Sequence, residues 1–169
     1  MSSNCDLLIM SEIGYSTALR CIAQDLELRG LKTLDITSEG KEYLVRCGYQ
    51  SPPANMPVTL HYTESDIEQF DRVGRQKRGA VTPPKDFLNL VQVLRTIGAY
   101  LDNNEARLIR ISNNESGGKD PLFRVEYETR DGERVIDDRA GAAIYDMCVS
   151  MYKQRGRMTG TGARYGRWR

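Results

Sequence analysis

The residues whose chemistry is most distinctive are the arginines and aromatic residues of the C-terminal segment RMTGTGARYGRWR. Arginine forms bidentate hydrogen bonds with phosphate, and tyrosine and tryptophan stack on exposed bases or on guanidinium groups. Glycines between these side chains indicate a flexible chain. We therefore interpret residues 157–169 as a flexible basic tail suited to a phosphate backbone. Its candidate contact residues are Arg157, Arg164, Tyr165, Arg167, Trp168 and Arg169.

Positive charge is concentrated in two places, although the net charge of the chain is only +1. Residues 153–169 carry six cations, Lys153 and Arg155 followed by the four tail arginines, and no acid, so the rest of the chain sums to −5 (1 − 6). The second basic cluster consists of Arg72, Arg75, Lys77 and Arg78. Each cluster lies at the C-terminal end of a predicted helix, where the helix dipole favours one or two cations but not so many. We predict that both clusters contact a partner.

Three explanations of the basic residues remain open at this stage. Neutralised phosphates would release counterions and give salt-sensitive, sequence-tolerant binding of nucleic acid, which we favour. The tail would alternatively dock on an acidic protein surface, with Trp168 as the anchor. In the third explanation the tail has no partner: it is a solvated end, or it folds back on the acidic body of the chain. Membrane-surface attachment is disfavoured because the tail lacks an amphipathic apolar face.

His61 is the single histidine and therefore the one candidate for a histidine base. It lies in VTLHYTESD, where Glu64 and Asp66 are close enough in sequence to orient it, although the strand pattern turns it toward solvent. The chain contains no Gly-x-Ser-x-Gly, HExxH or Walker motif. Catalysis through His61 thus ranks third, after nucleic-acid binding and protein docking. The paired acids Asp137 and Asp138 are interpreted as the start of a helix, with Asp138 as its cap.

The four cysteines are scattered along the chain, at Cys5, Cys21, Cys47 and Cys148. There is no CxxC pair and no nearby histidine to complete a metal site. We therefore expect buried reduced thiols, no metal and no cofactor.

The first half of the sequence predicts one helix, three strands and a second helix. Helix-spaced apolar residues begin near Ser16 and stop at Gly30, and LKTLDIT, EYLVRCGY and VTLHY have the alternation of strands. In the second of these strands Tyr43, Val45 and Cys47 share one side. Thr63 and Asp66 form the capping box of the next helix, which ends at Gly79.

The second half predicts the same order of elements. Thr82 and Pro83 indicate a helix start, ARLIRIS and LFRVEYET read as strands, and RDGE supplies a tight turn into a third strand. A last helix follows Asp138 and stops at Gly156. Its predicted buried stripe is Ala140, Ala143, Ile144, Met147 and Met151.

The two halves suggest a duplicated αβββα unit, since a shift of 77 residues (135 − 58) superposes Val58 on Val135 and Ile67 on Ile144. We predict an α+β fold with antiparallel sheet and helices on one face, as two lobes or one continuous sheet. The predicted units span residues 1–80 and 81–156, followed by the tail. Exposed sheet edges would allow a homo-oligomer.

Length and composition fit a globular protein of 169 residues with 40% hydrophobic and 28% charged residues. No apolar run approaches the roughly 20 residues of a membrane span, and MSSNCDLLIMSE lacks the basic start of a secretion signal. We therefore expect a cytoplasmic, non-catalytic binding protein associated with nucleic acid or with regulation.

Overall fold

The computed structural model describes residues 13–49, 57–76, 89–114 and 122–158. These residues form four helices and six strands in the order that the sequence predicts, so the α+β class is confirmed. The elements are α1 (Tyr15–Leu28), β1 (Leu31–Glu39), β2 (Glu42–Tyr49), β3 (Val58–Tyr62), α2 (Glu64–Gln76), α3 (Leu90–Asn103), β4 (Arg107–Asn114), β5 (Leu122–Glu128), β6 (Arg134–Ala140) and α4 (Gly141–Met158).

The strands form one continuous antiparallel sheet in the order β3-β2-β1-β4-β5-β6. The first strand of each half lies at the centre, where β1 pairs with β4 and Ile36 stands opposite Ile111. Of the two arrangements left open by the sequence, the single sheet is therefore the observed one. β3 and β6 are its outer strands.

The core lies between one face of the sheet and the helices. Alternate residues of β2 and β5 point inward, so that Tyr43, Val45 and Cys47 are buried, as are Phe123, Val125 and Tyr127. Three leucine and isoleucine side chains of each central helix are completely or almost completely buried. They are Leu19, Ile22 and Leu26 in α1 and Leu94, Ile97 and Leu101 in α3. Each stabilises the fold by about 1.5–3 kcal/mol relative to an exposed side chain.

Equivalent positions of the two halves are buried in the same pattern. Helix α3 starts 75 residues after α1 (90 − 15), and this offset relates Ala18 to Val93 and Leu19 to Leu94. It also relates Gly30 to Glu105, which both have positive φ, at 68° and 50°. The order of strands is likewise repeated from the sheet centre outward. Whether the halves arose by duplication stays a prediction.

The two central helices approach each other closely where α1 begins and α3 ends. A Cβ atom on Gly98 would lie 2.5 Å from the carbonyl oxygen of Tyr15, so only glycine fits there. The Tyr15 hydroxyl accepts a hydrogen bond of 3.0 Å from the backbone N–H of Leu108 at an irregularity in β4. This contact fixes α1 against the middle of the sheet.

The predicted start of the last helix is wrong. Asp138 does not cap α4 but lies within β6, opposite Arg124 of β5, and the helix begins at Gly141. Ala140 therefore belongs to the strand, Ala143 is exposed, and Met147 and Met151 are half-buried. Among the described side chains of α4, the buried ones are Ile144 and Cys148. The helix also continues past Gly156 to Met158, because one glycine weakens a helix without ending it.

Of the caps of α2 and α3, the first agrees with the sequence prediction and the second was not predicted. The predicted capping box of α2 is confirmed: Asp66 Oδ2 accepts the backbone N–H of Thr63, and Thr63 Oγ1 accepts that of Asp66. Helix α3 begins at Leu90, with Asn89 and Gln92 as a capping box that the sequence reading missed. Thr82, Pro83 and Gly79, which carried the predicted boundaries, lie outside the described residues.

Candidate functional site

The end of α2 carries the first of the predicted contact residues. Arg72 is exposed on the helix, and Arg75 lies in its last turn. The capping box of Thr63 and Asp66 fixes the start of this helix, and buried Ile67 packs it into the core, so its solvent side is set by the fold. Lys77 and Arg78, the other members of the cluster, lie outside the described residues.

The end of α4 carries the second group. Lys153 is exposed, and Arg155 and Arg157 lie in the last turns of the helix. Buried Ile144 and Cys148 anchor the earlier turns of α4 to the core. The tail residues Arg164, Tyr165, Arg167, Trp168 and Arg169 lie outside the described residues.

Several arginines of the sheet differ from these cations because carboxylates neutralise them. Arg107 and Arg134 donate to Glu128 and Glu126 respectively, each over 2.7 Å, and Arg110 pairs with Asp35. These bonds link neighbouring strands across the face. Sequence reasoning missed this network, although the alternation of charged and apolar residues in β5 was its signal.

Asp138 belongs to the same network. Its two carboxylate oxygens accept hydrogen bonds of 2.8 and 3.0 Å from Arg124 of β5. These bonds lower the pKa of Asp138 and raise that of Arg124, so both groups stay charged near neutral pH. Asp137 pairs instead with Arg139 at 2.7 Å. The acids that looked like a helix start in the sequence are therefore cross-strand and local ion-pair partners.

Arg72 and Lys153 have no such partner. Neither side chain forms an ion pair with an acidic residue in the part of the chain that the structure describes. Arg46 is an exposed arginine on the sheet that likewise forms no ion pair with a described residue, since Asp35, which stands opposite it in the strand register, is paired with Arg110. The exposed, uncompensated cations of the helices thus lie at the helix ends, in the final third of α2 and of α4.

His61 is exposed, as the strand pattern predicts, but its expected partners are wrong. Its Nε2 lies 2.9 Å from Glu42 Oε2 across the β2–β3 pair. Glu64 pairs with Lys41 at 3.7 Å, and Asp66 is used by the helix cap. The structure brings His61 and Glu42 together with both side chains exposed to solvent.

The cysteines within the described ranges have the predicted state, since Cys21, Cys47 and Cys148 are buried and unbridged. Burial raises the pKa of the Cys47 and Cys148 thiols, which keeps them protonated and unreactive. Cys5 lies outside the described residues.

Two properties of the described residues bear on the class of protein. No group of three or more His, Cys, Asp or Glu side chains in the described ranges is arranged to hold a metal ion. None of the helices formed by these residues combines the length and apolar character that crossing a membrane requires. The described residues therefore form an α+β protein whose outer helices, α2 and α4, end in basic residues.

Comparison with known proteins adds no family to this description: no protein-family model, curated protein or solved structure matches the chain.

Proposed function

We propose that the protein is a non-catalytic nucleic-acid-binding protein that contacts phosphates through the basic ends of α2 and α4 and through its C-terminal tail. The observation that supports this proposal is the difference between the two kinds of cation. Sheet arginines such as Arg124 are held by carboxylates, whereas Arg72 and Lys153 are exposed and unpaired among the described residues. An unpaired surface cation is the group that gains most from a phosphate.

The helix dipole explains part of this arrangement but not its extent. Cations near a helix C-terminus are stabilised by about 0.3–1 kcal/mol, mainly within the last turn. Arg72 stands four residues before the end of α2, and Lys153 five residues before the end of α4. These positions are more than a turn from the last helical residue, so the helix dipole alone does not explain why cations stand there.

The proposal is tested by fluorescence-anisotropy titration of the full chain with labelled single-stranded and duplex oligonucleotides at about 50 and 200 mM salt. We expect affinity to fall steeply between these salt concentrations. Replacing Arg164, Arg167 and Arg169 with glutamine should weaken binding to all sequences alike. Absence of binding at the lower salt concentration would reject the proposal.

A specific observation favours a second candidate, docking on an acidic protein. Val73, next to Arg72, is 52% exposed, and Leu28 at the end of α1 is 88% exposed. A Cβ atom on Gly74 would lie within about 4 Å of Gln24, so the end of α2 lies beside the last turns of α1. Apolar side chains next to cations are typical of protein interfaces. Partner binding that changes little with salt and is lost on Val73→Ser would favour this candidate.

A further inference from the structure

A cleft of about 290 Å³ opens where four elements meet, away from the basic helix ends. It lies between the start of α1, the β1–β2 turn, the start of α2 and the end of α3. Ile13, Ala18 and Ile67 form its apolar wall. Its polar groups are Lys41, Tyr43, Glu64 and Asp102. A few polar groups on an apolar wall are typical of small-molecule sites.

Asp102 holds the start of α1 and contributes negative charge to the cleft. Its Oδ1 and Oδ2 accept the backbone N–H groups of Tyr15 and Ser16, at 2.8 and 2.9 Å. A Cβ atom on Gly14 would lie 2.7 Å from Oδ2, so a larger residue there would require the carboxylate to shift. The two amides carry no net charge, and the helix dipole places only about half a positive unit charge at the start of α1. The Asp102 carboxylate is therefore only partly neutralised. No cation of the described residues forms an ion pair with it.

Lys41 does not supply the missing positive charge to Asp102. Its ammonium group lies 3.7 Å from Glu64 Oε2, at the start of α2. Among the described residues, the ionised groups that line the cleft sum to −1, with the Lys41–Glu64 pair on one side and Asp102 on the other. A ligand that completes the electrostatics of this site carries positive charge.

Tyr43 is the observation that points to a ligand. Its ring belongs to the core and the residue is only 4% exposed, yet it lines the cleft. No group in the described part of the chain forms a hydrogen bond with its hydroxyl. Burial together with the nearby Asp102 and Glu64 charges raises its pKa, so the hydroxyl is neutral at every physiological pH. The ring is buried, but the hydroxyl is not among the buried polar atoms that lack a partner, so it opens on the cleft, where its oxygen can accept a hydrogen bond from a ligand.

We propose that this cleft binds a small primary alkylammonium ligand. The ammonium group would donate to Asp102 and to the Tyr43 hydroxyl oxygen, and a short alkyl chain would lie against Ile13, Ala18 and Ile67. A volume near the lower limit of known ligand sites, about 300 Å³, restricts the ligand to a small molecule. This inference is independent of nucleic-acid binding, because it involves none of the basic contact residues.

The test uses the full chain and n-pentylammonium, followed by amide chemical shifts in NMR titration. We expect saturable shifts confined to residues around the cleft, and no saturable shifts with n-pentanol or pentanoate, which have the same chain length but no positive charge. Equal responses to all three compounds, or saturable shifts that lie elsewhere, would overturn the proposal.

Two variants separate binding from folding. Tyr43→Phe removes only the hydroxyl and should weaken n-pentylammonium binding on the order of tenfold, the loss of one hydrogen bond to a charged group. The matched control Tyr127→Phe removes a hydroxyl that lies 3.3 Å from that of Tyr100, outside the cleft, and should leave binding unchanged. Unchanged affinity in Tyr43→Phe would overturn the proposal.

Discussion

The two halves of the molecule have the same order of elements but differ in what they bury. The inward-facing residue at the start of the middle strand is Tyr43 in the first half and Phe123 in the second. On the central helices, Ala18 corresponds to the larger Val93. The first half therefore has a polar cleft where the matched positions of the second half carry larger or purely apolar side chains. One backbone arrangement therefore accommodates side chains of different size and polarity at matched positions.

The same difference recurs where the outer helix packs on the central one. In the first half Arg20 Nη2 contacts Asp71 Oδ1 at 2.6 Å, with side-chain exposures of 7% and 10%. The matched residue in the second half is Cys148, 77 positions after Asp71 (148 − 71). Its thiol is buried near Thr96. The first half thus has a buried ion pair at this position, and the second has a buried thiol hydrogen-bonded to Thr96.

The largest effect is expected from breaking this ion pair. Asp71→Ala should lower the free energy of unfolding by about 3–5 kcal/mol, because it leaves the Arg20 charge buried without its partner. The corresponding Cys148→Ala should lower it by only about 1 kcal/mol, since it removes one small buried group. Urea unfolding followed by circular dichroism measures both.

A double variant provides the control for that experiment. Arg20→Met combined with Asp71→Leu replaces both charges with apolar groups and should recover most of the stability lost in Asp71→Ala. If Asp71→Ala and Cys148→Ala cost the same, the proposed difference between the halves is wrong.

The next largest effect concerns the contact between the central helices. Gly98→Ala should destabilise the protein by about 1–3 kcal/mol, because the new Cβ would lie 2.5 Å from the Tyr15 carbonyl oxygen. The matched position is Ala23, 75 residues earlier (98 − 23), where Ala23→Gly should cost about 1 kcal/mol through helix propensity. Thermal unfolding of both variants gives the comparison. A more stable Gly98→Ala protein would show that the helices are further apart than described.

A smaller effect is expected at the Tyr43 hydroxyl. Tyr43→Phe should change the free energy of unfolding by less than about 1 kcal/mol, because the hydroxyl has no partner among the described residues. Tyr62→Phe is the control, since the Tyr62 hydroxyl donates to Asp25 Oδ2 at 2.7 Å and its loss should destabilise by about 1–2 kcal/mol. Urea midpoints compare the two, and a larger loss in Tyr43→Phe would assign its hydroxyl a structural role.

The smallest effect is the pH dependence of the α2 cap. Hydrogen bonds from the Thr63 backbone and hydroxyl lower the pKa of Asp66 from its ordinary value of 3.8. A lowered folded-state pKa gives stability that is present above this ordinary value and is lost as the pH falls through the lowered one. The matched position in the second half, Ala143, has no carboxyl group. Urea midpoints between about pH 5 and 2 should therefore fall less in Asp66→Asn than in the wild-type protein. Parallel curves would contradict this.

Local sequence patterns were sufficient to predict most elements, because their signals act within a few residues. Alternation placed Tyr43, Val45 and Cys47 on the buried side of β2, and the Thr63–Asp66 spacing gave the start of α2. The start of α4 was wrong because two adjacent acids favour a helix start locally, whereas pairing with β5 and Arg124 holds Asp138 in a strand.

The candidate sites depend on contacts between distant parts of the chain. Glu42 became the partner of His61 through the β2–β3 register, which no local pattern specifies. The cleft likewise needs Asp102 to meet Tyr15, 87 positions away in the sequence. The exposed cations at residues 72 and 153 were visible in the sequence, but their lack of acidic neighbours was not.

The most direct test of the proposed function compares two variants that lose equal charge. One replaces the helix-end residues Arg72, Lys153 and Arg155 with glutamine, and the other replaces the sheet residues Arg107, Arg124 and Arg134. Anisotropy titrations with a labelled single-stranded oligonucleotide are made over about 50–200 mM salt. We expect the helix-end variant to lose at least about tenfold in affinity, and up to about 0.7 in salt slope for each lost phosphate contact, while the sheet variant binds like the wild-type protein. Equal losses in both variants would contradict the proposal that phosphate is contacted at the helix ends.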